Sequence, residues 1–512
     1  MGRMSSGEKL TIPIPAAFLV SVCLLLLAYS FWRKIKKWSQ DRARMIRLAS
    51  KLPGPATLPL IGNALQFACG PDETLDKIKE IVSSYESPFR FWLGPKLFIV
   101  LTEPRDYEVI LGCQKASCKD AVYRFMEPFV GKGLVSGSGP SHRSHRKVIM
   151  PMLNNRALGE YMEYFDRHSR VCAELLEEKL GSGEFDLQPF LSHCTFDMIF
   201  ETVLGLPSSS QREDNRELVY WTESMYELLH LRMMKIWLHP DWLFSLTELG
   251  RRQRKGQSVI HGCIESAVAR KKEEHCAVER GVIVSDRPRL MLLEQLIDHA
   301  MRTNFMNDDD YLRDETYTLF TAAQDTTAVI SSFALLNLAM HQEIQDKVRA
   351  EIKAVVGEDC VQLEHLPKLQ YTEMVIKETL RLYPIAPLMV RQVIGDIDLE
   401  NFTLPKGCSI VMIPFMTHRS EKFWSDPEKF VPERFLPENS NNRHPFAYIP
   451  FSGGLRGCIG QKYAIMCLKT IIVNIIRKFK LTSKLKLENL RLKTDISVRS
   501  RDGYFVSISK VE

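Results

Sequence analysis

Twelve cysteines occur in the 512 residues, but none forms a Cys-x-x-Cys pair and their spacing follows no pattern. That argues against a zinc site and a disulfide framework, and favours a reducing compartment. The Asn401-Phe402-Thr403 sequon is accordingly expected to be unused if that part of the chain faces the cytosol. A basic block is also missing. The 68 Lys and Arg against 62 Asp and Glu leave a formal charge of only +6, which gives no footing for nucleic acid. There is no internal repeat and no low-complexity run. Length alone would allow about three domains, yet only one stretch reads as a linker, "KLPGPATLPLIGN" from Lys51 to Asn63. Apolar content of 45% and charge of 25% are those of an ordinary globular protein.

What is present begins with a targeting signal. From Leu10 to Trp32 the chain is almost uniformly apolar, densest from Ala16 to Phe31, and Arg33, Lys34, Lys36 and Lys37 follow directly. A helix over Ala16–Trp32 would span roughly 25 Å, adequate for the thinner endoplasmic reticulum bilayer. A cleaved signal peptide would have a shorter apolar run ending at small residues, not at a basic cluster. The segment therefore reads as a single membrane anchor, with the following chain held in the cytosol. This divides the chain into an anchor with its basic segment (1–50), a proline-rich hinge (51–63) and one large domain (64–512).

Within that domain, helix-like stretches dominate: Arg156–Lys179, Glu213–Met234, Arg251–Glu274, Asp309–Val356 and Lys368–Leu382. "FRFWLGPKLFIVLTEP" predicts two strands around Gly94-Pro95, and "ISVRSRDGYFVSISK" predicts a hairpin about Asp502-Gly503. The fold class is mainly α with a small β subdomain assembled from both ends of the chain.

Four short patterns carry the chemistry. "FSGGLRGCIG", Phe451 to Gly460, sets four glycines around Cys458, more backbone freedom than a structural cysteine needs. Glu378 and Arg381 stand three apart on a helix, a spacing that by itself also suits a surface ion pair. Arg434 lies in the proline-punctuated "WSDPEKFVPERFLPE", where a buried guanidinium could bridge Glu378 to backbone carbonyls. In "LFTAAQDTTAVISSF", Asp325, Thr326 and Thr327 interrupt an apolar helix just after Ala322 and Ala323. Taken alone, such a threonine can simply bond back to the carbonyl four residues earlier. Yet Ala322 and Thr326 share a face, so a hydroxyl stands beside open space.

Together these patterns resemble the cytochrome P450 family over essentially the whole chain after the anchor. Phe-x-x-Gly-x-Arg-x-Cys-x-Gly matches as Phe451, Gly454, Arg456, Cys458 and Gly460, and Glu-x-x-Arg as Glu378 and Arg381. Pro-Glu-Arg-Phe matches at Pro432–Phe435, and the oxygen-site pattern matches from Ala322 to Thr327, with Ala323 in place of the usual glycine. The resemblance implies a cytochrome P450 fold after one transmembrane helix, and a non-covalent heme b with Cys458 as its axial thiolate. A thiolate donates electron density and favours O–O cleavage.

The resemblance also implies that Arg391, Arg456, Arg146 and His142 contact the heme propionates. His142 stands where the family has tryptophan. Glu378, Arg381 and Arg434 would lock the core, and Asp325 and Thr326 would deliver protons to the oxygen being reduced. The sequence is most similar to the family 4 branch, with "HPDWLFSLTELGRR" (Trp237 just before it) resembling that branch's membrane-facing segment. Many members of the branch carry a heme-esterified glutamate where this chain has Ala322. The implied activity is insertion of one oxygen atom from O2 into a lipophilic substrate: a fatty acid, hydrocarbon, hormone, odorant or xenobiotic. Electrons would come from NADPH through NADPH-cytochrome P450 reductase, with cytochrome b5 as a further donor, docking near basic residues such as Lys147 and Lys462. A reductase-independent isomerase or dehydratase and a non-enzymatic heme carrier or sensor are the alternatives; the Asp325-Thr326 pair counts against both.

Overall fold

The computed structural model describes residues 16–212, 215–281, 291–303 and 309–511. The first six residues of the apolar stretch (10–15) and the predicted helix start at Glu213 lie outside them. The chain forms two compact units, Met1–Pro53 and Gly54–Glu512. In the first, one helix runs from Ala16 to Ala49, continuing well past the basic cluster. It is long and apolar enough to cross a bilayer, and its Phe18, Leu24–Leu27 and Trp32 are exposed.

The second unit is mostly helical. Its axis is a central helix, Asp309–Met340, buried along nearly its whole length. This helix also satisfies the length and apolarity of a membrane span, but its apolar window is buried in protein. Its most extensive packing is against the Gln188–Leu204 helix, which in turn meets Asn155–Glu177, and Gln461–Ile476 closes the same core. Neither Gln188–Leu204 nor Gln461–Ile476 has an apolar stripe, because both are buried on almost every side. A helix without a polar face carries no 3.6-residue signal in its sequence.

The helix expected over Asp309–Val356 is two helices, Asp309–Met340 and Gln342–Val355, separated at His341. The break lets Gln342 and Gln345 both donate their side-chain amides to the carbonyl of Leu481, each at 2.8 Å, fastening the second helix to a strand.

The strands in chain order are β1 (Phe89–Leu93), β2 (Lys96–Leu101), β3 (Cys118–Lys119), β4 (Phe185–Asp186), β5 (Met389–Gln392) and β6 (Ile397–Asp398). They continue with β7 (Thr403–Leu404), β8 (Ser409–Met412), β9 (Phe479–Thr482), β10 (Leu492–Thr494), β11 (Val498–Ser500) and β12 (Phe505–Lys510). β1 and β2 form the predicted hairpin about Gly94 and head a five-stranded sheet in the order β1-β2-β8-β5-β3.

The second predicted hairpin does not form. β11 pairs with β10, whereas β12 pairs with β4 and β9. Tyr504 causes the divergence: its ring is buried edge-on against Phe333, and its hydroxyl accepts the Ser500 N–H at 3.2 Å. Its own N–H donates to Asp186 at 3.1 Å, steering the chain into a different sheet.

Residues 54–63 are not a plain linker either. Asn63 donates its backbone N–H to Trp92 O at 2.6 Å, and its side chain accepts the Trp92 N–H at 2.9 Å. Gly62, at φ +64°, has no room for a Cβ beside Trp92. The proline-rich segment is laid along β1 as part of the second unit.

Candidate active site

Cys458 sits at the end of a loop pressed against the Pro104–Gly112 helix. Gly454 has φ +58°, and any Cβ there would collide with the Leu111 carbonyl. The Cys458 N–H donates to Phe451 O at 2.9 Å, which closes the loop, and Phe451 packs half-buried against the core. The Gln461–Ile476 helix begins three residues later, so its N-terminal end lies beside the sulfur. Cys458 is accessible although it lies deep in the fold. Burial raises its thiol pKa, while the Gly460 N–H and the charge of Arg146 act toward the thiolate.

Arg146 stands on the Gly139–Ile149 helix and donates to the carbonyl of Gly457, the residue before the cysteine, at 2.6 Å. His142, one turn earlier, is buried. Burial and then the charges of Arg456, Arg146 and Lys119 push its pKa down to about 3, so the imidazole is neutral at physiological pH. Arg391 is buried on β5 and donates to Val390 O at 3.0 Å. Arg456 reaches Val135 O at 3.5 Å, and its Nη1 is buried without a partner. Burial and the charge of Arg391 lower its pKa to about 10.

The sequence reading missed a fifth member. Lys119 on β3 stands directly across the ladder from Arg391. Burial, then Arg391 and Arg456, push its ammonium well below the usual lysine range. Like charges placed opposite each other on neighbouring strands repel. Among the described residues, no carboxylate is placed to neutralise this set. Only its position next to Asp120 and the β5 strand could have drawn notice to Lys119, and no motif marks it.

These features fit a heme. One accessible cysteine at a helix N-terminus suits an axial thiolate, and a cluster of cations with an orphaned guanidinium donor suits two propionates.

The distal candidates lie on the central helix. From Glu315 to Ala339 every residue is buried except Ala322, Ala323 and Thr326, which are half-buried. The expected face of small side chains beside a hydroxyl is therefore the one accessible patch in that run. The Thr326 hydroxyl donates to Ala322 O at 2.9 Å, the plain helical back-bond. Asp325 is not joined to it. Its carboxylate is fully buried, pairs with Arg499 of β11 and accepts from Ser497 at 3.4 Å. Burial raises the Asp325 pKa against the opposing pull of Arg499. Arg499 was not anticipated, because in "ISVRSR" it reads as one more alternating strand residue.

Elsewhere in the core, Glu378, Arg381 and Arg434 come together. Arg381 donates to both Glu378 oxygens at 2.7 and 2.9 Å, and to the carbonyls of His418, Pro427 and Lys429. Arg434 donates to Glu378 at 3.3 Å, and also to the carbonyls of Ser425 and Asp426. The Val431 N–H adds a third donor to Glu378 at 2.8 Å. Glu378 and Arg381 are completely buried and Arg434 nearly so.

An accessible cysteine at a helix N-terminus beside a cluster of cations is the arrangement expected of a heme-thiolate protein. The cytochrome P450 family profile matches residues 52–506, and the chain belongs to the cytochrome P450 family. It is 30% identical to cytochrome P450 4c3 of Drosophila melanogaster, over 99% of this chain and 96% of that protein. It is 31% identical to cytochrome P450 4V2 of Mus musculus, over 97% and 94%. Cytochrome P450 4d1 of Drosophila melanogaster is 33% identical, over 85% and 88%. Its relatives are thus family 4 members from insects and vertebrates, and the protein is a P450 monooxygenase that uses a thiolate-ligated heme.

Proposed function

We propose that this enzyme, anchored by its N-terminal helix in the endoplasmic reticulum membrane, hydroxylates a lipophilic substrate with electrons drawn from NADPH through a separate reductase. The observation that carries the reading is the coincidence of an accessible Cys458 with five cationic or imidazole side chains lacking a carboxylate partner. When bound, the heme supplies oxygen activation at its iron. The residues of the chain do the rest. Cys458 would hold the heme iron through its sulfur, and Arg146, Arg391, Arg456, Lys119 and neutral His142 would bind the propionates. Ala322, Ala323 and Thr326 form the accessible patch of the central helix, and the Thr326 hydroxyl, released from its bond to Ala322, would offer a proton there. Asp325, kept buried by Arg499, is the nearest acid in sequence to resupply it.

Lipophilic substrate is supported by a surface as well as by the family. Between the Arg216–Met234 and Glu248–Glu279 helices, Trp237, Trp242 and Leu246 are exposed, at 59%, 70% and 72%. Such a patch suits a bilayer from which an apolar molecule would enter. The test is reconstitution with purified NADPH-cytochrome P450 reductase under 18O2. One labelled oxygen in a lipid or odorant product, with NADPH consumed, supports the reading. Turnover of a peroxide without reductase would instead favour an isomerase.

A further inference from the structure

Glu315 lies two turns before Ala322 on the central helix and is completely buried. One of its oxygens accepts the His145 Nδ1–H at 2.7 Å, and the other accepts the Leu134 N–H at 3.2 Å. The far nitrogen of His145 meets the Ser141 hydroxyl at 3.2 Å, and Tyr311 packs edge-on against the ring. The imidazole is therefore held from both sides.

Each partner of this carboxylate leads to the cation cradle. His145 is the neighbour of Arg146, on the helix that also carries His142. Leu134 is the neighbour of Val135, whose carbonyl receives Arg456. The 131–137 segment is laid flat on the central helix. A Cβ on Gly131, at φ +69°, would lie 2.8 Å from Asp314 Cα, and one on Gly133 would lie 2.9 Å from the Glu315 carboxylate. Thr318 secures the residue just before this segment by donating to Val130 O at 2.6 Å.

We propose that Glu315 is a positioning residue that sets both halves of the propionate cradle, Arg146 with His142 through His145 and Arg456 through Leu134. The inference rests on the reading of those cations as heme ligands. A carboxylate that fixes a ligand's orientation from behind typically changes affinity by about 10–100-fold when removed.

The experiment measures heme loss from the full-length holoenzyme to excess apomyoglobin. Glu315→Gln and Arg146→Gln should each speed loss by about tenfold. Combined, they should speed loss by less than the product of the two single effects, because Glu315 acts in part through Arg146. Glu315→Gln combined with Arg391→Gln, on a separate strand, should multiply. His145→Gln, which breaks the same link from the other side, should repeat the pattern if Glu315→Gln yields no folded protein. Unchanged heme loss in Glu315→Gln, or multiplication with Arg146→Gln, overturns the inference while leaving the cradle intact. Unchanged loss in Arg146→Gln overturns the cradle reading and this inference with it.

Discussion

Replacing Glu378 with alanine removes one carboxylate and strands two guanidinium groups. Arg381 loses two hydrogen bonds but keeps three backbone carbonyls, and Arg434 loses one and keeps two. The Val431 N–H loses its acceptor as well. Two positive charges, almost wholly buried, would then face each other with no counter-charge. Breaking a buried ion pair by removing one partner costs roughly 3–5 kcal/mol. The remaining carbonyls place the expected loss near the lower end, about 3 kcal/mol. Trp424, which lies under Arg381 at 5.2 Å and Arg443 at 4.0 Å, is a built-in reporter. Its fluorescence in a urea titration should show a lower midpoint for Glu378→Ala, with heme released at the same urea concentration. A midpoint shift worth less than about 1 kcal/mol, the value of an exposed pair, would refute the claim that the triad locks the core.

Thr326→Ala should retain heme and substrate binding but divert electrons to hydrogen peroxide, lowering product formation by about 10²–10⁴ as expected for a lost proton donor; unchanged coupling of NADPH use to product would remove Thr326 from the mechanism. Ala322 offers no carboxylate for an ester, so acid denaturation and reversed-phase chromatography should elute heme free of polypeptide, and co-elution would show an unforeseen covalent link. His418 is completely buried, accepts the Ile449 N–H at 2.9 Å, and is pushed down to about 3 by burial and then the charge of Arg381. The unfolded chain takes up that proton near pH 6.5 and the folded chain does not, so stability is full above pH 6.5 and falls as pH drops toward 3. By pH 5 the loss is about 2 kcal/mol, and His418→Gln should flatten that part of the urea-midpoint profile.

The parts of the site legible in sequence were those written as contiguous patterns. The cysteine loop needed only Phe451–Gly460, and the Glu378–Arg381 pair needed one helical turn; Arg434 was drawn in because a guanidinium among prolines needs carbonyls. What stayed hidden depends on tertiary placement. Lys119 acquires meaning only when β3 pairs with β5 and sets it opposite Arg391. Arg499 becomes the partner of Asp325 only through a strand more than 170 residues away. The chain bends at Asp502 and Gly503 takes φ +86°, but no hairpin closes there, since Tyr504 is claimed by the core and diverts the chain. Gln188–Leu204 was missed because uniform burial erases periodicity.

The central claim is that the Cys458 thiolate holds the heme iron. The direct measurement is the absorption difference spectrum of the reduced protein with carbon monoxide, taken for the parent chain and for Cys458→Ala. The parent should show the strongly red-shifted Soret band of a thiolate-ligated heme, and the variant should lack it. Persistence of that band in Cys458→Ala would place another cysteine on the iron and contradict the account.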